Sequence, residues 1–556
     1  MKKIRTGIEN FKEMIDSDAY YVDKTNLIKD TIDRKVVLYT RPRRFGKTLN
    51  MSMLYYFYSI DEKENAYLFD HLKVSHDPEM LKYQNQYPVV SISLKGLDGD
   101  CFEEQKNKFL ILIQEFFYNH NELLESPKFN KVMKDKLIRL YEGDVNLSEL
   151  ENSLAFITHC MKMHYSRKVI VLIDEYDVPL QKAYIKGYYD EMSTFISSVF
   201  HDLLKTNDSL EKGILTGCLR IARESIFTGL NNFDVLGITD YNASDCFGFT
   251  QDELDEMLEY YSLLEKRDLI KEWYDGYSFG DSEIYNSWSV TKYLKDLLSN
   301  NNNMPISYWA NSSGNDIVRK YIKEGNINLR DELRILVEGN SLIKDVKPEL
   351  TYKEMDDLNN IYSFLLYTGY LKIRDRVYDQ HHQQIKNRYE LVIPNKEVKE
   401  IYEHTFMEWY NEYKSEYSNQ LISNLLNKEP QNAESIVNDL LSKDISYHDY
   451  DEKFYHGLLV GLLHNDYYSI KSNRESGLGR SDLVLKCSDL NKPAIIIECK
   501  YTKDLSYLRE VAEKGLKQII EKEYIQELKN EQYRNIICYS MAFSKKTCII
   551  LLLEND

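Results

Sequence analysis

Ala494-Ile495-Ile496-Ile497-Glu498-Cys499-Lys500 closes an apolar run with a glutamate and a lysine two residues apart. Side chains alternate faces along a strand, so Glu498 and Lys500 share one face while Ile497 and Cys499 take the other. Asp482 stands one hairpin upstream, in Gly479-Arg480-Ser481-Asp482-Leu483-Val484-Leu485. Two carboxylates and an ammonium meeting beside a sheet can hold a divalent cation and steer a water at a phosphate. Asp482 and Glu498 are the candidate ligands for Mg²⁺ or Mn²⁺. Lys500 would orient the water or counter charge in the transition state.

A lone Glu-x-Lys arises by chance in any chain this charged, so its surroundings must carry the reading. A helix is expected over Asp451–Leu463, strands over Leu483–Lys486 and Ala494–Lys500, a helix over Leu508–Lys522, and strands over Asn535–Tyr539 and Thr547–Leu553. Arg480 and Tyr501 are placed to touch a nucleic-acid phosphate, whereas His456 reads as a helix-face residue rather than a general base.

The first half of the chain alternates apolar strands with amphipathic helices. Strands are expected at Val36–Thr40, Pro88–Leu94, Val169–Ile173, Gly213–Leu219 and Val235–Thr239. Helices are expected at Thr48–Tyr58, Phe102–Asn119, Leu147–His164 and Glu191–Lys205. Such alternation predicts a parallel sheet with helices on both faces.

Arg41-Pro42-Arg43-Arg44-Phe45-Gly46-Lys47-Thr48 follows the first strand and opens a helix. The pattern is that of a phosphate loop. Backbone amides and the helix N-terminus face the anion, Lys47 reaches the outer phosphates and Thr48 ligates Mg²⁺. Arg41 stands where the usual pattern has its first glycine, and Pro42 removes an amide donor. Arg41, Arg44 and Gly46 join Lys47 and Thr48 as candidate cofactor-binding residues. Val169–Ile173 ends in Asp174-Glu175, so Asp174 would hold Mg²⁺ through water and Glu175 would polarise the attacking water. Thr216 ends a further strand, where it would sense the γ-phosphate, and Arg220 and Arg223 beyond it could contact phosphate.

After Thr239 the pattern turns helical. Thr250-Gln251-Asp252-Glu253 is a capping box before Leu254–Tyr261, and a hairpin is expected around Leu371–Ile393. Trp273, Tyr274, Trp288 and Trp309 read as core residues of a lid rather than as base-stacking platforms. Three regions follow: a nucleotide domain over 1–241, a helical lid and connector over 242–427, and a nuclease-like domain over 428–556.

Four stretches carry a resemblance: Tyr20-Tyr21-Val22-Asp23-Lys24-Thr25, Arg41–Thr48 with its missing glycine, Asp174-Glu175-Tyr176-Asp177-Val178-Pro179, and Thr228-Gly229-Leu230-Asn231-Asn232. Together they resemble the prokaryotic AAA-ATPase-like family, whose members commonly carry a C-terminal PD-(D/E)XK nuclease domain. The arginine at the glycine position is typical of that family. The resemblance implies an α/β chain: a P-loop NTPase core with a five-stranded parallel sheet, a helical middle region, and a restriction-endonuclease-like domain. It also implies that Glu452 completes the nuclease metal shell and that Gln518 positions water or backbone.

The chain has 556 residues, too many for a single core. Its formal net charge of −18 argues against coating nucleic acid through a broad basic surface, though not against a local basic groove. The 45 tyrosines read first as compositional bias. The eight cysteines show no zinc spacing, and no apolar run is long enough for a bilayer. No signal peptide is visible, so a reducing cytoplasm is expected. Expected partners are ATP and nucleic acid, with DNA favoured over RNA, no membrane, and an oligomer or protein partner to trigger activity. The main reading is an ATP-binding, metal-dependent nuclease under nucleotide control. The alternatives are an ATP-bound switch with weak or no hydrolysis, or a scaffold with an inactive nuclease domain.

Overall fold

Five short strands, β1 (Val36–Thr40), β2 (Val89–Ser93), β3 (Val169–Asp174), β4 (Leu210–Gly217) and β5 (Phe233–Leu236), lie parallel in the computed structural model, in the order β2-β3-β4-β1-β5. The structure describes the whole chain except residues 206, 222–226, 228–232, 310–326, 358–359, 380–383, 445–451, 464–467, 477–478, 488, 523 and 554–556. Every residue of β1 and β3 is buried, which is why these strands run apolar up to their last residues, Thr40 and Asp174, rather than alternating.

Element ends shift for identifiable reasons. β4 stops at Gly217 because the next two amides, of Cys218 and Leu219, donate to the Asp177 carboxylate (2.9 Å each). β5 ends at Leu236, three residues short of the expected Thr239, because Gly237 N turns to donate to Asp240 (2.8 Å). The helix expected over Leu147–His164 is two helices, Leu147–Glu151 and Ser153–Tyr165. Asn152 between them donates its side-chain amide to Asp202 (2.9 Å).

The middle region is mainly helical and also carries two small antiparallel sheets. One is the hairpin β6 (Tyr277–Phe279) and β7 (Ser282–Ile284). The other, β8 (Leu342–Asp345), β9 (Lys372–Tyr378) and β10 (Gln384–Val392), has the order β8-β10-β9 and contains the expected hairpin. Thr250 and Glu253 form the capping box. The chain divides into two compact units, Met1–Glu403 and His404–Asp556, within the helix Lys396–Leu426.

The second unit contains β11 (Tyr468–Ser476), β12 (Gly479–Cys487), β13 (Ala494–Tyr501), β14 (Ile536–Ser544) and β15 (Thr547–Leu552), in that spatial order. Only β13 and β14 are parallel, and the helix Leu508–Glu521 makes their crossover. Leu483, Leu485, Ile495, Ile497, Tyr539 and Met541 pack on one face with Tyr455 and Leu459 of the helix Glu452–Leu463. Val484, Ala494 and Ile496 pack on the other with Ile519 of Leu508–Glu521. Among the described residues no helix is long and apolar enough to cross a membrane.

Candidate functional site

β4 lies between β1 and β3, so the C-terminal ends of these three strands stand side by side. The loop after β1 leads into the helix Lys47–Tyr58, with Arg44 and Gly46 in the left-handed region at φ +72° and +79°. Glycine adopts that conformation without penalty, but arginine does not. Arg44 is compensated locally. Its carbonyl accepts from Ser287 Oγ (3.2 Å) and Trp288 N (3.4 Å), and its guanidinium lies 4.3 Å from the centre of the Trp288 ring.

Lys47 is buried, and its Nζ donates to the carbonyl oxygens of Arg41 (3.1 Å) and Pro42 (3.0 Å). Thr48 Oγ1 donates to Oδ2 of Asp174 (2.7 Å), and Thr216 Oγ1 donates to Oδ1 of the same carboxylate. The fold thus brings Thr48, Asp174 and Thr216 together. Glu175, next in the chain, has φ +52°, a strained position for a side chain of this kind. Burial raises its carboxyl above the ordinary range, opposed by Lys47.

Arg41 corrects the expectation of a cofactor contact. Its guanidinium is fully buried and donates to the carbonyl oxygens of Thr40 (2.9 Å), Leu236 (2.7 Å) and Ala243 (2.9 Å), between the rings of Phe247 and Phe279. Burial pulls it down to about 10. It braces the base of the loop and turns no donor toward the cavity. Arg220 is likewise committed elsewhere, in an ion pair with Glu349 (2.6 Å). Arg223 and the Thr228–Asn232 stretch lie outside the described residues.

A cavity of about 720 Å³ opens over this loop, within the range of small-ligand and cofactor sites. Arg43, Arg44, Lys47, Lys95 and Lys182 line it beside Gly46, Thr48 and Glu175; Ile4, Ile8, Val22, Phe249, Met257 and Trp288 supply an apolar wall. Its cations suit a polyphosphate and its apolar wall suits a base, so ATP fits the residues present. Thr48 Oγ and the Asp174 carboxylate are the hard oxygen ligands that Mg²⁺ takes. Trp288, expected in a core, lines the cavity instead. The Tyr20–Thr25 motif is tied in through Lys24, which also lines it and pairs with Glu253 (2.6 Å). Sequence reasoning gave Ile4, Ile8, Met257 and Trp288 no site role, and no local pattern marks them.

In the second unit Glu498 and Lys500 meet. The Glu498 side chain is 1% exposed and accepts from Lys500 Nζ at 2.7 Å. β12 and β13 pair from Leu485↔Ile495 to Leu483↔Ile497, so Asp482 and Glu498 are the next residues beyond the last pair and occupy one level of the sheet. The side chains of Glu452, Arg480 and Asp482 lie outside the described residues. Gln518 lies on the helix Leu508–Glu521, where its Nε2 donates to Tyr524 Oη (3.2 Å). Tyr501 stacks on Tyr455, itself stacked on Phe543. Among the described residues no three His, Cys, Asp or Glu side chains gather as a metal site. The buried oxygen donor of Glu498, with Asp482 at its level, still fits the preference of Mg²⁺ or Mn²⁺ for carboxylates.

Two segments of the chain match family models. Residues 5–227 match a family model described as a predicted AAA-ATPase, AAA-ATPase-like. Residues 450–552 match the model of the PD-(D/E)XK nuclease superfamily. The chain therefore joins an AAA-ATPase-like domain to a PD-(D/E)XK nuclease-superfamily domain. It is also similar to an uncharacterized protein in the vnfD 5′ region of Azotobacter chroococcum mcd 1, 25% identical over 294 residues. That match covers 52% of this chain, and the chain spans about half (51%) of the relative's length.

Proposed function

We propose that the N-terminal unit binds ATP with Mg²⁺, and that the C-terminal domain hydrolyses nucleic-acid phosphodiester bonds with Mg²⁺ or Mn²⁺ under nucleotide control. The observation that carries the nuclease reading is the buried Glu498 held by Lys500 at the level of Asp482. A divalent cation there supplies Lewis-acid stabilisation of phosphoryl oxygen and a more acidic bound water. Asp482 and Glu498 hold it, Glu452 completes its surroundings, and Lys500 orients the water and counters phosphate charge. Gln518 secures backbone or water nearby.

At the other site Lys47 and Arg44 hold phosphate, Thr48 and Asp174 hold Mg²⁺, Thr216 fixes Asp174, and Glu175 aligns the attacking water. The functional regions we propose are 1–241, 242–427 and 428–556, with the middle one as lid and connector. A reducing cytoplasm suits eight cysteines that are all thiols, six of them buried. A switch that binds ATP without useful turnover is the second reading. It is favoured by the hold of the Arg41 and Pro42 carbonyls on Lys47.

The test is incubation of purified protein with Mg²⁺ or Mn²⁺ and with single- and double-stranded DNA and RNA, with and without ATP, while released phosphate is followed. Cleavage that changes with ATP supports the proposal, and DNA is the expected substrate. Neither cleavage nor phosphate release under any condition would overturn the enzymatic reading.

A further inference from the structure

Ser540 of β14 is level with Glu498 of β13 in their parallel ladder. Its chain neighbours Tyr539 and Met541 join the core on the face of Glu452–Leu463. Ser540 therefore points to the opposite face, the one shared by Glu498 and Lys500 and covered by the helix Leu508–Glu521. The residue is fully buried, and its Oγ has no hydrogen-bond partner among the described residues.

The helix lies against this spot through Gly515. A Cβ there would come within 2.1 Å of Ser540 Oγ and 3.5 Å of Lys500 Cγ. Glycine at this position thus makes room for the hydroxyl, whereas the lysine stem would stand at ordinary contact distance. A buried hydroxyl without a partner carries a desolvation cost with nothing returned, and alanine would fill the place without it. Adjacent strands are about 4.8 Å apart, so a rotamer change brings Oγ within reach of the neighbouring carboxylate.

We infer that Ser540 is a positioning residue of the nuclease centre: turned to an alternative rotamer, its hydroxyl donates to the Glu498 carboxylate and holds that group in its metal-binding orientation. This rests on the reading of Glu498 as a ligand of Mg²⁺ or Mn²⁺. Carboxylates that bind metals are themselves held by hydrogen bonds, whose loss typically costs about 10–100-fold in metal affinity or activity.

The experiment uses the full chain and titrates Mn²⁺, reading the free ion by electron paramagnetic resonance, with the melting temperature measured on the same samples. Ser540→Ala should weaken Mn²⁺ binding by about 10–100-fold while leaving the melting temperature unchanged or raised. Ser540→Cys, which keeps the size and loses most donor strength, should move in the same direction and serves if the alanine variant does not fold. Wild-type Mn²⁺ affinity in Ser540→Ala, with binding lost in Glu498→Ala, would reduce Ser540 to packing. Absence of Mn²⁺ binding by the wild type itself would overturn the metal-site reading and this inference with it.

Discussion

Thr48 Oγ1 donates across 2.7 Å to Oδ2 of Asp174, tying the first turn of the helix after β1 to the end of β3. Lys47, one residue earlier, puts its ammonium inside the same loop. Lys47→Ala should therefore weaken ATP binding at least about tenfold, because a charge-assisted contact worth roughly 1.5–3 kcal/mol is removed. Glu175→Gln should keep ATP affinity and lower hydrolysis. Calorimetric titration beside a phosphate-release assay separates the two; unchanged affinity in Lys47→Ala contradicts the phosphate-loop assignment.

Arg41 should behave as a brace. Arg41→Met leaves the carbonyls of Thr40, Leu236 and Ala243 without their donor. Each buried group so abandoned costs roughly 1–3 kcal/mol, so the melting temperature of the first unit should fall by several degrees. The rise in melting temperature produced by saturating ATP should persist, because binding stabilises the native state by mass action whatever its baseline. Loss of that rise with an unchanged baseline would mean Arg41 contacts the nucleotide.

Glu397 makes the stability of the first unit depend on pH. Burial raises its carboxyl from 4.5 to about 7, against the opposing hydrogen bonds from Ser289 Oγ (2.8 Å) and Trp309 N (2.9 Å). The folded form holds the proton more tightly than the unfolded form. Its contribution is therefore complete below pH 4.5 and is lost as the pH rises through 7, a change on the order of 3 kcal/mol. In Glu397→Gln this part of the pH dependence should vanish. Urea titrations at pH 5 and pH 8 read it directly, and equal slopes in variant and wild type would contradict it.

Trp309 is 2% exposed and stacks on Tyr370 with ring centres 4.9 Å apart. Trp309→Ala should cost roughly 3–5 kcal/mol of stability and touch cleavage only through unfolding. Differential scanning calorimetry beside a cleavage assay at low temperature checks this. A stable variant with lost cleavage would place a substrate groove here.

The parallel sheet was legible because a strand buried on both faces must be apolar throughout, as Val169–Ile173 is. β11 was not. It pairs only with β12, at the sheet edge, and beyond Tyr468 and Ile470 its sequence through Ser476 is polar. Thr48, Asp174 and Thr216 could be named because each ends or begins an element with a recognisable pattern. The wall formed by Ile4, Met257 and Trp288 comes from three distant segments, and only the tertiary fold assembles it. Composition shows that Arg41 is charged, but not that its guanidinium turns inward between Phe247 and Phe279. Long-range packing decides such directions.

The most direct test of the whole account sets Mn²⁺ affinity beside cleavage rate for Glu498→Ala and Lys500→Ala, with wild type as reference. Glu498→Ala removes a ligand and should lose both metal binding and cleavage. Lys500→Ala keeps the ligands, so Mn²⁺ binding should persist while cleavage falls by about 10²-fold or more, the scale on which removing one transition-state donor acts. If the wild type cleaves and both variants cleave as well as it does, this face of β13 is not the active site.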